Sequence, residues 1–194
     1  MSLLALVRKS LFLLIAVMLC QQSMAQAVTV MSNSSAARDC YLAASRTTLK
    51  LAALHSDYET CTRALKYELL PTRDLAATHI NRGIIRVSLE EYQDALADYK
   101  EALRVVPGMP EAHISIGNLW YLAGNYQRAL TEYSSALQQE SRFRFAALYN
   151  RGLAQEKLGN PKSAISDYTD ALKLNPGFRQ ASERLAQLNT AVTP

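Results

Sequence analysis

From residue 76 onward, apolar positions recur at steps of three and four, the period of a helix face. Each apolar run is cut once by a short polar break, at "SLEEY" (88–92), "AGNY" (123–126) and "LGNP" (158–161). Gly124-Asn125 and Gly159-Asn160 are helix-stop signals, and Pro161 suits the first turn of the helix that follows. Pro107 and Pro176 end the second helix of their pairs, because proline has no amide hydrogen to continue it. The pattern therefore predicts consecutive helix pairs and no sheet. The tripeptide Asn-Arg-Gly occurs twice in it, at 81–83 and again at 150–152.

Those two copies mark a repeat. Residues 76–109, 110–143 and 145–178 superpose as three units of 34, with Arg144 as one inserted residue. Gly83, Gly117 and Gly152 share a column, as do Ala95, Ala129 and Ala164, Tyr99, Tyr133 and Tyr168, and Ala102, Ala136 and Ala171. All 7 glycines of the chain fall into three repeat positions, which excludes a chance match. The small glycine and alanine columns predict two helices in close approach. The tyrosine column and Leu103, Leu137 and Leu172 are expected to bury against the next pair.

These columns resemble the tetratricopeptide repeat. The resemblance implies an all-α, right-handed solenoid of helix-turn-helix units spanning 71–178. Some positions depart from the family pattern: His79 and His113 stand where an aromatic residue is usual, Arg86 where Tyr is, and Ser141 where a closing Pro is. Residues 36–70 read as an N-terminal helical hairpin, a degenerate repeat or cap, because Tyr58 precedes Tyr92 by one period. Residues 179–192 read as a C-terminal capping helix, apolar at Ala181, Leu185 and Leu188 and polar elsewhere, as repeat arrays need for solubility.

The chain's beginning reads differently. Arg8-Lys9, an apolar stretch over Leu11–Cys20 and "SMAQA" form the three parts of a secretory signal over 1–25, with cleavage expected after Ala25 or, second, Ala27. Acylation at Cys20 is disfavoured by Leu19 before it, and the apolar stretch is short for a membrane anchor. Residues 26–35 form a flexible leader. The expected location is therefore the periplasm or outside the cell, with no membrane insertion after cleavage. In an exported chain the two remaining cysteines, Cys40 and Cys61, suggest one disulfide across a turn near 49–55, the alternative being two buried thiols.

Removal of Arg8 and Lys9 takes two of the 21 basic residues away against 17 acidic, lowering the formal charge from +4 to +2. The remaining basic residues are scattered among acids, so nucleic acid is not an expected partner. No Ser-His-Asp or Cys-His arrangement and no phosphate-cradling glycine loop is present. The chain carries no expected catalytic residue, metal site or cofactor. His79 and His113 are expected to be packing residues with no acid column beside them, and Glu90, Glu91, Asp167 and Asp170 to be acids on a solvated face.

What remains is a surface. The family resemblance implies a groove lined by the first helix of each pair. Residue by residue this gives Ile80, Asn81 and Ile84 from the first unit, Ser115, Asn118 and Tyr121 from the second, and Tyr149, Asn150 and Leu153 from the third. Asparagines in the Asn81/Asn150 column bond the backbone of an extended peptide in some family members; the alternative is that they only satisfy local backbone groups. Ile80, Ile114 and Tyr149 stand where a basic clamp for a peptide carboxylate would need lysine. The expected function is thus non-catalytic: an adaptor binding a peptide or helix segment of another protein, with self-association into a homo-oligomer, or service as an accessory subunit of an envelope enzyme complex, as alternatives.

Overall fold

A computed structural model describes residues 35–48 and 55–192 of the chain. The signal over 1–25, the leader up to Ser34 and nearly all of the turn near 49–55 lie outside the described residues. Nine helices and no strand occur among the described residues. They are α1 (Ser35–Thr48), α2 (His55–Tyr67), α3 (Thr72–Ser88), α4 (Tyr92–Val105), α5 (Pro110–Leu122), α6 (Tyr126–Ala136), α7 (Arg144–Lys157), α8 (Pro161–Leu174) and α9 (Arg179–Val192). The fold is an all-α helical-repeat solenoid. The described residues form two compact parts, divided between Pro107 and Gly108. No described helix is long and apolar enough to cross a membrane.

The helix boundaries follow from local chemistry. Pro110 and Pro161 open α5 and α8, and the Asn125 side chain accepts the amide of Arg128 to cap α6. Between the helices of a pair, Gly124 (φ 76°) and Gly159 (φ 78°) take the left-handed conformation that reverses the chain. The amides of Asn125 and Asn160 then bond back to the carbonyls of Trp120 and Gln155 at 2.8 and 2.9 Å. Glu90 holds the equivalent place in the first pair. It adopts φ 64° despite its side chain, and Glu91 makes the same return bond to Arg86 at 2.8 Å.

The glycine column is explained by the tyrosine column. A Cβ on Gly83, Gly117 or Gly152 would sit no more than 2.5 Å from the Cε1 of Tyr99, Tyr133 or Tyr168. Each ring therefore lies flat against the glycine of its own pair, a contact that the sequence reading did not anticipate. All three rings are buried, as are the alanines of both alanine columns. The leucines Leu103, Leu137 and Leu172 are only half-buried.

The hairpin α1–α2 closes differently. Cys40 and Cys61 are joined by a disulfide, and the described buried side chains around it are mostly alanines: Ala36, Ala37, Ala43, Ala44 and Ala64. Glu68 accepts the amide of Ala36 at the start of α1, and Arg46 pairs with Asp57 at 2.8 Å. In the second part the inserted Arg144 caps its neighbour, its guanidinium donating to the carbonyl of Leu137 at 2.8 Å beyond the end of α6. Phe143 beside it is buried, so "ESRFRF" supplies a closure where the other boundaries use proline.

A candidate protein-binding surface and the ion pairs behind it

The nine residues assigned to a groove lie on α3, α5 and α7. All are buried, none more than 9% exposed. In the first part Ile80 and Ile84 belong to the core around α3, and Asn81 lies between them in sequence at 2% exposure. In the second part Tyr121 packs edge-on to Tyr126, with centroids 5.2 Å apart. Tyr149 packs against Tyr168 and Phe178 at 5.6 and 4.9 Å. Neither ring is an open anchor in the free chain. Ser115 donates back to the carbonyl of Glu111, the usual way a helical serine satisfies itself. Leu153 is buried on α7. The more exposed positions one turn along these helices are Ser88, Leu122 and Lys157.

The structure brings the two asparagines of the second part together. Asn118 Oδ1 accepts the hydroxyl of Tyr133 at 2.8 Å and the amide of Asn150 at 3.0 Å, tying α5, α6 and α7. With its oxygen used twice, the Asn118 amide nitrogen has no acceptor among the described residues, and neither has that of Asn81. A buried donor left in this way costs about 1–3 kcal/mol until it finds an acceptor.

Each part also carries paired acids that sequence reasoning missed. His79 and His113 do have acids beside them: Asp98 lies 3.5 Å from His79 Nδ1, and Glu132 lies 2.8 Å from His113 Nδ1. Asp167 is not a solvated acid but buried, bonded by Arg151 at 2.6 and 2.9 Å. Arg82 bonds Asp98 in the same manner, at 2.6 Å, so the arginine of both Asn-Arg-Gly copies serves one purpose. It joins the first helix to the acid on the second. The signal is present in the sequence: Asp98, Glu132 and Asp167 occupy one repeat column, which reads as surface until a partner is assigned to it. Asp170 does pair at the surface, with Lys173.

The first repeat carries an added cation. Arg86 also bonds Asp98, at 2.7 Å, and reaches Tyr58 of α2, whose hydroxyl accepts at 3.1 Å. Burial by itself would raise the Asp98 carboxyl, but the bonds from His79 and Arg82 and the charges of Arg82 and Arg86 hold it below its ordinary value. Arg151 is raised by its bond to Asp167. Burial first, and then its bond to Glu156, push the Tyr168 hydroxyl far up. Glu156 is bonded in turn by Arg184 of α9 at 2.5 Å, which fastens that helix to α7. Among the described residues no group of three His, Cys, Asp or Glu is arranged to hold a metal ion.

Helix pairs closed by tyrosine over glycine define a helical-repeat module. Tetratricopeptide-repeat models match residues 80–144 and 145–178, together about half of the chain. The chain belongs to the tetratricopeptide repeat family. It is 34% identical over 98 residues to a human FK506-binding protein-like protein, covering 46% of this chain and 28% of that one. The mouse FK506-binding protein-like protein is 31% identical over 129 residues, covering 62% and 37%. The chain thus spans roughly a third of the length of these relatives. Among solved structures, the first repeat domain of Spaghetti (RPAP3), bound to the HSP90 peptide SRMEEVD, is 19% identical with a TM-score of 0.57, covering 61% of this chain and 94% of that one. MamA from Desulfovibrio magneticus RS-1 is 18% identical with a TM-score of 0.58, covering 82% and 87%.

Proposed function

We propose that this protein is a non-catalytic adaptor that holds a peptide or helix segment of another protein along the first helices of its repeats. The observation carrying this reading is the pair of buried amide donors without acceptors, Asn81 Nδ2 and Asn118 Nδ2. Each lies on a first helix, where a main-chain carbonyl of a bound segment would restore the missing bond once the neighbouring side chains give way. The peptide held by the structurally similar Spaghetti (RPAP3) domain supports the same class of ligand. Tyr149 and Tyr121 act on binding from below, by shaping the surface, and the first contacts fall to Leu122 and Lys157.

We place the adaptor in the cell envelope, exported by the signal over 1–25. The disulfide between Cys40 and Cys61 accords with an oxidising compartment. N-terminal sequencing of the protein from its native host checks this, the expected first residue being Gln26; an intact Met1 in a cytosolic fraction would contradict it.

A photo-crosslinking residue placed at Leu122 or Lys157 of the full chain tests the adaptor reading. One discrete partner should be captured from either position, and Asn81→Leu should reduce capture at least about fivefold while the chain stays folded, the loss of one hydrogen bond to the bound segment. Capture only from the second helices, at Gln127 or Thr131, would overturn it. Light scattering of the pure protein separates the adaptor from a self-assembling homo-oligomer.

A further inference from the structure

We infer that the Cys40–Cys61 bond is a redox-sensitive latch: its reduction releases the hairpin α1–α2 from α3 while the repeats stay folded. The inference rests on what else holds the hairpin. Among the described residues, α1 buries Ala36, Ala37, Cys40, Ala43 and Ala44, and α2 buries Asp57, Cys61 and Ala64. None of these is a large apolar side chain. Burial stabilisation scales with the apolar area removed from water, so a row of methyl groups gives little of it. Each following pair instead buries a whole tyrosine ring against a glycine. The described part of the hairpin has no such ring; α1 is joined to the chain of α2 by the disulfide, the partly exposed Arg46–Asp57 pair and the bond from the Ala36 amide to Glu68.

Cys61 also stands where release would be felt. On α2 it is flanked by Tyr58, one turn before it, and Thr62, immediately after it. The Tyr58 ring lies under the guanidinium of Arg86 at 5.0 Å and near that of Arg82 at 5.9 Å. Its hydroxyl accepts from Arg86, and Thr62 Oγ1 accepts from Arg82 at 3.3 Å. With the hairpin docked, both arginines are largely shielded, at 16% and 14% exposure. Undocking removes Tyr58 and Thr62 together and leaves two arginines on one buried carboxylate, Asp98, at an opened face of α3. The latch thus couples the oxidation state of one bond to the exposure of a cationic, apolar surface.

The chemistry balances with a dithiol as reductant. One of its thiolates attacks a sulfur of the bridge, its second thiol displaces the mixed disulfide, and two electrons and two protons pass to Cys40 and Cys61 as the reductant closes its own disulfide. Both sulfurs belong to fully buried residues, so attack requires prior opening of the hairpin and the rate of reduction reports that opening.

Hydrogen exchange followed by mass spectrometry tests this on the full chain, before and after dithiothreitol, with alkylation counting the thiols released. A Cys40→Ala/Cys61→Ala variant without reductant repeats the test where the bond resists reduction. Amides of 35–48 and 55–67 should exchange at least about tenfold faster in the reduced protein and the variant, while those of α4 to α9 stay as protected as before. Arg82 and Arg86 should become reactive toward phenylglyoxal in the same samples. Unchanged protection of α1 and α2 in the variant would overturn the latch. So would loss of protection in every helix together, which would make the bond a requirement of the whole fold.

Discussion

The hairpin α1–α2 and the repeat pairs that follow solve one problem, holding two antiparallel helices together, in two ways. In the repeats a tyrosine ring lies on a glycine, and a Cβ there would be no more than 2.5 Å from the ring. In the hairpin a covalent bond joins two helices whose buried positions are mostly alanine. The difference shows what the glycine column is for. It is not there for flexibility, since Gly83, Gly117 and Gly152 are all helical; it makes room for the ring that supplies the pair's apolar burial. Where the ring is missing, the glycine is missing too, and a disulfide stands in.

The comparison predicts a graded set of effects. The largest is loss of a ring: Tyr168→Ala should cost about 3–5 kcal/mol in urea unfolding, the cost of emptying an aromatic site in a core. A loss under about 1 kcal/mol, the size of an ordinary substitution, would mean the ring does not close the pair.

A smaller effect belongs to the buried acid of the first repeat. The Asp98 carboxyl is held below its ordinary value of about 3.9, so its bonds stabilise the folded chain above that pH and the contribution is lost as pH falls through the folded value. Asp98→Asn should cost roughly 1.5–3 kcal/mol at pH 7. It should also flatten the fall in stability below about pH 4 that the native chain shows. A variant with the native acid profile would remove Asp98 from this account.

The smallest effect is a gain. Glu90 occupies the left-handed position that Gly124 and Gly159 fill elsewhere, with φ 64°. Glu90→Gly should raise stability by about 0.5–1 kcal/mol, the relieved backbone strain offset in part by greater freedom of the unfolded chain. Thermal melting decides the sign, and a destabilised variant would mean that the side chain of Glu90 makes up for its conformation.

Much of this is legible in the sequence, because a repeat states its own alignment. The helix pairs, their breaks at Gly124 and Gly159 and the Cys40–Cys61 pairing can be read from period and residue type. Three things cannot. The direction of the tyrosine column depends on which face of the second helix turns inward, and spacing alone leaves both neighbours open. Asp167 reads as a surface acid, and Asp98 draws no assignment, because an isolated acid usually lies at the surface; only the guanidinium reaching across from Arg82 or Arg151 makes burial tolerable. The family resemblance, for its part, would expose the groove positions. Here Tyr149 is enclosed by Tyr168 and Phe178, and Asn150 is spent on Asn118. Tyr149→Ala would therefore report on the core before it reported on binding.

The claim underlying all of this is that glycine and tyrosine in one pair are a single packing device. A double-mutant cycle at Gly152 and Tyr168 tests it most directly. Gly152→Ala alone pushes a methyl group into a buried ring and should cost about 1–3 kcal/mol. Tyr168→Leu alone should be destabilising through lost burial. Combined, the smaller side chain leaves room for the methyl, so the double variant should be more stable than the sum of the two losses by at least about 1 kcal/mol. Strict additivity would contradict the account, because it would mean that Gly152 is kept for some reason other than the ring that lies on it.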